Sequence, residues 1–179
     1  MHDRDIFELA SQFKTAIVLA HNRNSFSRDI SFSHFPRGCC GDTCYLLAAY
    51  LRSKGIFTLY VWGDCKGQSH AWLVLKDCRV KTPTPQFYET PTEIREIVRR
   101  YGGSISENPV EIIRYEESDL DNGLIIDITG DQFGEDSVYV GRLDTFHRRF
   151  MFESAHEIEG LTDYRLQNLY RIISNFLPC

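Results

Sequence analysis

A cysteine at the start of a helical pattern is the residue of this chain best suited to nucleophilic chemistry. Cys40 opens the run Cys-Gly-Asp-Thr-Cys, which leads into an amphipathic pattern that ends at Gly55. The first N–H groups of a helix are unpaired and the helix dipole places partial positive charge there, so a thiolate at Cys40 would be stabilised. The same N–H groups can hold an oxyanion. The sequence therefore predicts that Cys40 is a nucleophile.

A histidine and an aspartate on two strand patterns are suited to assist this thiol. His70 begins the β-favouring run His-Ala-Trp-Leu-Val-Leu, on the same face as Trp72. Asp127 interrupts the apolar run Leu-Ile-Ile-Asp-Ile, where a buried carboxylate is costly unless something bonds it. An imidazole N–H on a neighbouring strand would satisfy Asp127. Such a pair would fix the histidine tautomer and support the imidazolium that forms when Cys40 loses its proton.

Three more residues are expected to contact the cleft or an oxyanion in it. Gly41 leaves room for a substrate backbone beside the thiol. Trp72 is expected to pack in the core and to screen the site. Gln132 follows the Asp127 strand closely enough to donate a hydrogen bond to an oxyanion, and a simple turn role is its alternative.

Other roles for the cysteines stay open. Cys39, Cys40 and Cys44 with His70 offer four potential zinc ligands, although adjacent cysteines do not easily point at one ion. Cys44 is a rival nucleophile, but it would lie a full turn inside the helix that ends at Gly55, where the free N–H groups are already used. By default a buried cysteine is a small core residue. We expect no metal and no cofactor at the site.

The three motifs resemble those of a known family. CGDTCYLLAAYLRSKGI resembles the nucleophile helix of transglutaminase-like cysteine enzymes, a branch of the papain-like superfamily. HAWLVL resembles that family's His-Ala-Trp strand, and LIIDIT resembles its Asp-Pro-Thr strand. Over residues 36–133, the resemblance implies Cys40 as nucleophile, His70 as general base and acid, and Asp127 as the residue that orients the histidine. It also implies a papain-like fold, with the nucleophile helix packed on an antiparallel sheet that carries the histidine and the aspartate.

The reaction expected of such a site is acyl transfer through a thioester on the cysteine. The substrate would be an amide bond of a protein or peptide. Hydrolysis, by a peptidase or a deamidase, is the preferred outcome. Transfer to an amine, as in a transglutaminase or an amide-forming acyltransferase, is the alternative. A non-catalytic protein-interaction domain on the same fold is a third hypothesis.

The remaining patterns supply the elements that must position these residues. The segment 77–122 is expected to be an insertion between the histidine and aspartate strands. It contains a helix that Thr90 caps, with Pro91 in its first turn, Glu93 in a capping box and Gly102 after its end. Apolar spacing and turn residues predict helices at 5–21, 40–55 and 162–176, a hairpin of strands at 56–63 and 69–76, and strands at 110–115, around Asp127 and at 137–142. Helices packed on an antiparallel sheet give an α+β class.

Composition is typical of one globular domain spanning 1–179, which the resemblance implies to be the catalytic domain. The 179 residues are 42% hydrophobic and 25% charged, with a formal net charge of −5. The negative charge and the lack of a dense basic run argue against a nucleic-acid partner. No signal-peptide pattern or membrane-length apolar run is present, so we expect a cytoplasmic protein with reduced cysteines. Delivery into another cell would leave no mark here, and the oligomeric state is not indicated.

Overall fold

The computed structural model describes residues 2–83, 85–88, 91–101 and 110–178. Their architecture is α+β, as the sequence predicted. The helices are α1 (Asp3–Asn22), α2 (Cys40–Ser53), α3 (Thr92–Arg100), α4 (Glu117–Leu120) and α5 (Tyr164–Ser174). The strands are β1 (Thr58–Cys65), β2 (Gln68–Leu75), β3 (Gln86–Tyr88), β4 (Val110–Ile112), β5 (Ile125–Asp127), β6 (Tyr139–Gly141) and β7 (Met151–Glu157). Within the described residues, no helix combines the length and the apolar character needed to cross a bilayer.

One antiparallel sheet, in the order β6-β5-β2-β1-β7, organises the molecule. β1 and β2 form the predicted hairpin, and its turn places Lys66 and Gly67 at positive φ, which matches the twist of the paired strands. β5 pairs with β2 so that Ile126 lies opposite Leu73. This register brings the end of β5, where Asp127 lies, toward the part of β2 that carries His70.

Both faces of the sheet are covered, because side chains alternate along each strand. On β2, Ala71 and Leu73 face a core formed with α1, α2 and α5. Trp72 and Val74 face a second core. That second core is filled from outside the sheet mainly by Val80, Tyr115, Leu120, Phe146 and Phe150. The predicted core role of Trp72 is confirmed.

Helix α2 has the predicted limits. It begins at Cys40 and ends just before Gly55, whose φ of +77° is the left-handed conformation in which a helix commonly stops. Its buried residues Cys44, Leu47, Ala48 and Leu51 recur at three- and four-residue spacing. The thiol-bearing end of α2 is therefore fixed by packing along the whole helix.

Two predictions about the sheet need correction. The strand predicted at 110–115 is the shorter β4, and it pairs with β3 in a separate two-stranded sheet instead of joining the main one. The edge strand β7, which pairs with β1, was not predicted. Its sequence, Met-Phe-Glu-Ser-Ala-His-Glu, does not alternate regularly between apolar and polar residues, so the pattern typical of a strand is lacking. The apolar Met151 on it is 68% exposed.

The inserted helix α3 starts at Thr92, with Pro91 at its N-cap, slightly later than predicted. Its apolar residues Ile94 and Ile97 are 46% and 50% exposed, so the described side chains form no buried stripe. Thr90, the side chain of Glu93 and Gly102 lie outside the described residues. The predicted helices at 5–21 and 162–176 are confirmed within about two residues as α1 and α5.

Candidate active site

Cys40 and His70 line one cleft, although they come from different elements. Cys40 is the first residue of α2, His70 lies near the start of β2, and α2 packs against β2. The cleft has a volume of about 280 Å³ and reaches the surface, where Gly38 and Ser69 are exposed. A substrate carbonyl could therefore approach the sulfur from solvent.

The pKa values of the thiol and the imidazole are shifted in opposite directions. Burial raises the pKa of Cys40, but the hydrogen bond and the charge of His70 outweigh burial and bring that pKa below its ordinary value. Burial lowers the pKa of His70, but hydrogen bonds with Asp127 and Cys40 outweigh it and raise the pKa to about 9. These shifts favour a thiolate–imidazolium pair over the neutral thiol and imidazole.

Asp127 is held through both of its carboxylate oxygens. Its Oδ2 lies 2.8 Å from Nε2 of His70, and both side chains are almost completely buried. Its Oδ1 accepts hydrogen bonds from the backbone N–H of Thr129 at 2.8 Å and from the Thr129 hydroxyl at 3.1 Å. Burial raises the pKa of Asp127, but contacts with His147, His70 and Thr129 outweigh it and hold the pKa well below its usual range. The predicted contact between this carboxylate and His70 is present.

A second histidine, His147, lies beside the same carboxylate, and the sequence did not single it out. Its Nε2 is 3.5 Å from Oδ2 of Asp127, longer than an ordinary hydrogen bond. Its Nδ1 is 2.7 Å from Oδ1 of Asp144, and the same oxygen accepts the backbone N–H of His147 at 2.9 Å. Because an ionised carboxylate only accepts, Nδ1 carries a proton, and Nε2 faces Asp127 without a hydrogen-bond partner in the described chain. The Asp-x-x-His spacing signals a turn but carries no sign of a site.

The wall of the cleft includes two aromatic residues that no sequence motif identified. Tyr60 and Trp62 line it from β1, and Gly41 lines it from α2 as predicted. Trp72, the tryptophan singled out from the sequence, lies in the second core instead, with its ring 5.8 Å from that of His70. Period-two spacing of Tyr60 and Trp62 was the available signal, because such residues share one face of a strand.

Gln132 lies in a 3₁₀ turn after β5, close to the site. Its Nε2 donates to the carbonyl oxygen of Thr129 at 3.1 Å and lies 3.5 Å from Nδ1 of His70. Its Oε1 is 3.5 Å from the backbone nitrogen of Gly38. The turn role is thus present, and the role in holding an oxyanion stays a prediction.

The neighbouring cysteines are placed differently from Cys40. Burial raises the pKa of Cys39 to about 12, and its sulfur contacts the carbonyl oxygen of Pro36 at 3.3 Å. Burial also raises the pKa of Cys44, which lies in the core behind Cys40. Both thiols are therefore protonated at neutral pH, which makes Cys44 a poor nucleophile.

Charged residues from distant parts of the chain form hydrogen bonds and ion pairs with segments next to the site. Lys14 of α1 is buried, and its Nζ donates to the carbonyl oxygen of Ile128 at 2.8 Å and to Oδ2 of Asp131 at 2.8 Å. Arg165 of α5 forms an ion pair with Asp42, in the first turn of α2. The negative charge of Asp42, two residues from the thiol, is thereby partly offset.

One group in the described residues has the spacing of a metal site: His70, Asp127 and His147, whose ligand atoms lie within 4.8 Å of one another. No such group in this part of the chain contains a cysteine, so the zinc cluster considered from the sequence is not assembled there. The short hydrogen bond between His70 and Asp127 already uses one ligand atom of each.

No protein-family model, curated protein or solved structure matches the chain.

Proposed function

We propose that this protein is a thiol enzyme that transfers an acyl group from an amide bond through a thioester on Cys40. The observation that carries the proposal is the cleft shared by Cys40 and His70, with the histidine bonded at 2.8 Å to a buried carboxylate. The lowered pKa of Cys40 supports it further, because a thiolate is the reactive form. The α+β architecture is compatible with a papain-like, transglutaminase-like enzyme, which the motifs resemble.

Each residue has a defined step in this reaction. The Cys40 sulfur attacks the amide carbonyl carbon, and the carbonyl π electrons move onto oxygen. When the carbonyl re-forms, the C–N bond breaks and the imidazolium of His70 gives its proton to the departing amine. Asp127 keeps the ring oriented and stabilises its positive charge.

Water is the proposed acceptor in the second half of the reaction. His70, now neutral, takes a proton from the water that attacks the thioester carbon; the C–S bond then breaks, the acid product leaves, and the Cys40 thiolate and the His70 imidazolium are restored. Solvent access at the cleft supports hydrolysis, since Cys40 is only partly buried and Ser69 at the rim is exposed. A peptidase or a deamidase is therefore the preferred form. An amine acceptor would give a transglutaminase or an amide-forming enzyme.

The proposal is tested by comparing two thiols in one protein. Cys78 is exposed and Cys40 is half-buried. If access alone set reactivity, limiting iodoacetamide at pH 6 would label Cys78 first. A thiolate at Cys40 reverses that order, and peptide mass mapping measures it. Preferential labelling of Cys78 would indicate an inert thiol and would favour a non-catalytic interaction domain.

Activity is tested with glutamine-containing peptides. Released ammonia indicates a deamidase, a new amino terminus indicates a peptidase, and a product joined to an added amine indicates a transferase. We expect Cys40→Ala to abolish turnover and Cys78→Ala, the matched control, to retain it. Full activity of Cys40→Ala would eliminate the thiol mechanism.

A further inference from the structure

The hydroxyl group of Tyr60 points into the cleft and is not used by the fold. Its Oη lies 3.3 Å from where a Cβ would stand on Gly41, the residue after the thiol. No other group in the described chain forms a hydrogen bond with this hydroxyl. Its ring is fixed by neighbours, with ring centroids 5.3 Å from Tyr45 and 4.8 Å from His156. Glycine at position 41 therefore makes room for an oriented phenol O–H beside the helix start.

Such a hydroxyl has the chemistry that the attack on a carbonyl requires. When the Cys40 sulfur adds to the carbonyl carbon, negative charge develops on the carbonyl oxygen, next to the unpaired N–H groups at the start of α2. Burial first, and then the charges that Cys44 and Cys40 would carry, raise the pKa of Tyr60, so its phenol keeps the proton and can donate. Gln132 is less free for this task, because one N–H of its amide bonds the Thr129 carbonyl oxygen and the same nitrogen lies 3.5 Å from Nδ1 of His70.

We infer that Tyr60 is a catalytic residue whose hydroxyl donates a hydrogen bond to the oxyanion formed at the cleft. The proton stays on the phenol throughout. The bond strengthens as charge develops on the oxygen and weakens when the carbonyl re-forms and the leaving group departs. The inference rests on the proposed thiol mechanism and adds to it a side-chain donor from β1.

Two small probes of the same sulfur separate this role from a general effect on the thiol. 4-Nitrophenyl acetate acylates a thiolate through a tetrahedral oxyanion and releases 4-nitrophenolate. Iodoacetamide alkylates it by direct displacement of iodide, with no oxyanion. Both rates are measured at Cys40 by peptide mass, in the wild-type protein and in Tyr60→Phe.

We expect Tyr60→Phe to acylate roughly 10²–10³-fold more slowly, the usual loss for one oxyanion donor, while its alkylation rate changes by less than about twofold. Tyr164→Phe is the control, because it removes the hydroxyl of a tyrosine that is 84% exposed and does not line the cleft. Both of its rates should equal those of the wild-type protein. Thermal unfolding should be unchanged in Tyr60→Phe, since the hydroxyl bonds nothing in the fold.

The outcomes distinguish the inference from the function it rests on. Equal acylation by wild type and Tyr60→Phe overturns the role of Tyr60 and leaves the thiol mechanism standing. Equal reductions of the acylation and alkylation rates in Tyr60→Phe also overturn it, because they would mean that the substitution changes the reactivity of the thiol and not the stabilisation of the oxyanion. Failure of the wild-type Cys40 to be acylated at all overturns both.

Discussion

At the scale of single residues, acidic and basic side chains alternate behind the cleft. His70 bonds Asp127, and His147 and Asp144 continue the row behind that carboxylate. His70, Asp127 and His147 are buried, where such contacts are stronger than at the surface. The hydrogen bond and the charge of His70 outweigh burial and lower the pKa of Cys40. The reactivity of the thiol therefore depends on groups that no substrate would touch.

The pH dependence of the two thiol reactions should differ. Alkylation of Cys40 should rise with pH through a midpoint below that of an ordinary cysteine, because its pKa is lowered, and then stay constant. Turnover should rise over the same range but fall above about pH 9, where His70 loses the proton that the leaving amine needs. In Asp127→Asn, the falling limb should move to lower pH, because the carboxylate that raises the pKa of His70 is gone. An alkylation midpoint at or above that of Cys78 would contradict this account.

The contact of His147 with Asp127 predicts a graded effect of substitution. His147→Leu leaves the buried carboxylate of Asp127 and the partly exposed carboxylate of Asp144 without this partner, so we expect a loss of about 1–3 kcal/mol in the free energy of unfolding. His147→Gln keeps an N–H donor and should lose less. Urea denaturation measures both, and the labelling ratio of Cys40 to Cys78 should fall in the same order. Equal effects of leucine and glutamine would show that only the ring volume matters.

At the scale of secondary-structure elements, the close approach of β1 and β7 positions an aromatic ring against His70. The β1–β7 register shifts between Trp62 and Gly63, and Gly63 pairs with His70 on β2. A Cβ on Gly63 would lie 2.6 Å from the carbonyl oxygen of Met151. Only glycine allows this bulge, and the bulge sets the position of Phe150, whose ring centroid is 5.2 Å from that of His70.

Gly63→Ala should therefore disturb both the fold and the site. Pushing β7 outward should reduce the free energy of unfolding by about 1–3 kcal/mol, as overpacking usually does. It should also slow the alkylation of Cys40, because the aromatic wall around His70 moves with β7. Gly160→Ala is the control, since a Cβ there meets nothing within 4 Å. Equal stability of the two variants would mean that the bulge relaxes without cost.

At the scale of the whole molecule, helices distant in sequence hold the site together. α1 reaches the segment after β5 through Lys14, and α5 reaches the start of α2 through Arg165. The side chain of Lys14 is 8% exposed, so its charge depends on Asp131 and the Ile128 carbonyl for stabilisation.

Removing this buried cation should destabilise the whole protein. We expect Lys14→Met to reduce the free energy of unfolding by about 2–3 kcal/mol, somewhat below the usual loss for breaking a fully buried pair, because Asp131 is partly exposed. Arg4→Met on the same helix removes an exposed ion pair with Glu8 and should cost at most about 0.5 kcal/mol. Urea denaturation compares them. Similar losses in the free energy of unfolding would indicate that the buried contacts of Lys14 contribute no more to stability than an exposed ion pair.

Much of the fold was predictable from local patterns. The limits of α2, the hairpin of β1 and β2 and the end helices follow from apolar periodicity, glycine and turn residues, which act over a few neighbouring positions. The contact of Asp127 with His70 was also predictable, since a carboxylate in an apolar strand needs a donor. The edge strand β7 and the separate pairing of β4 were missed, because pairing partners depend on the whole topology.

By itself, the sequence determined the limits of α2, the hairpin of β1 and β2 and the end helices, and which polar residue would need a buried partner, because these follow from the chemistry of adjacent residues. Only the tertiary structure decided that His147 reaches Asp127, that Tyr60 points its hydroxyl beside Gly41, and that Lys14 braces the segment after β5. These contacts join elements far apart in the chain. Periodicity reports which face of an element is buried, whereas the strand register and helix docking determine what that face meets.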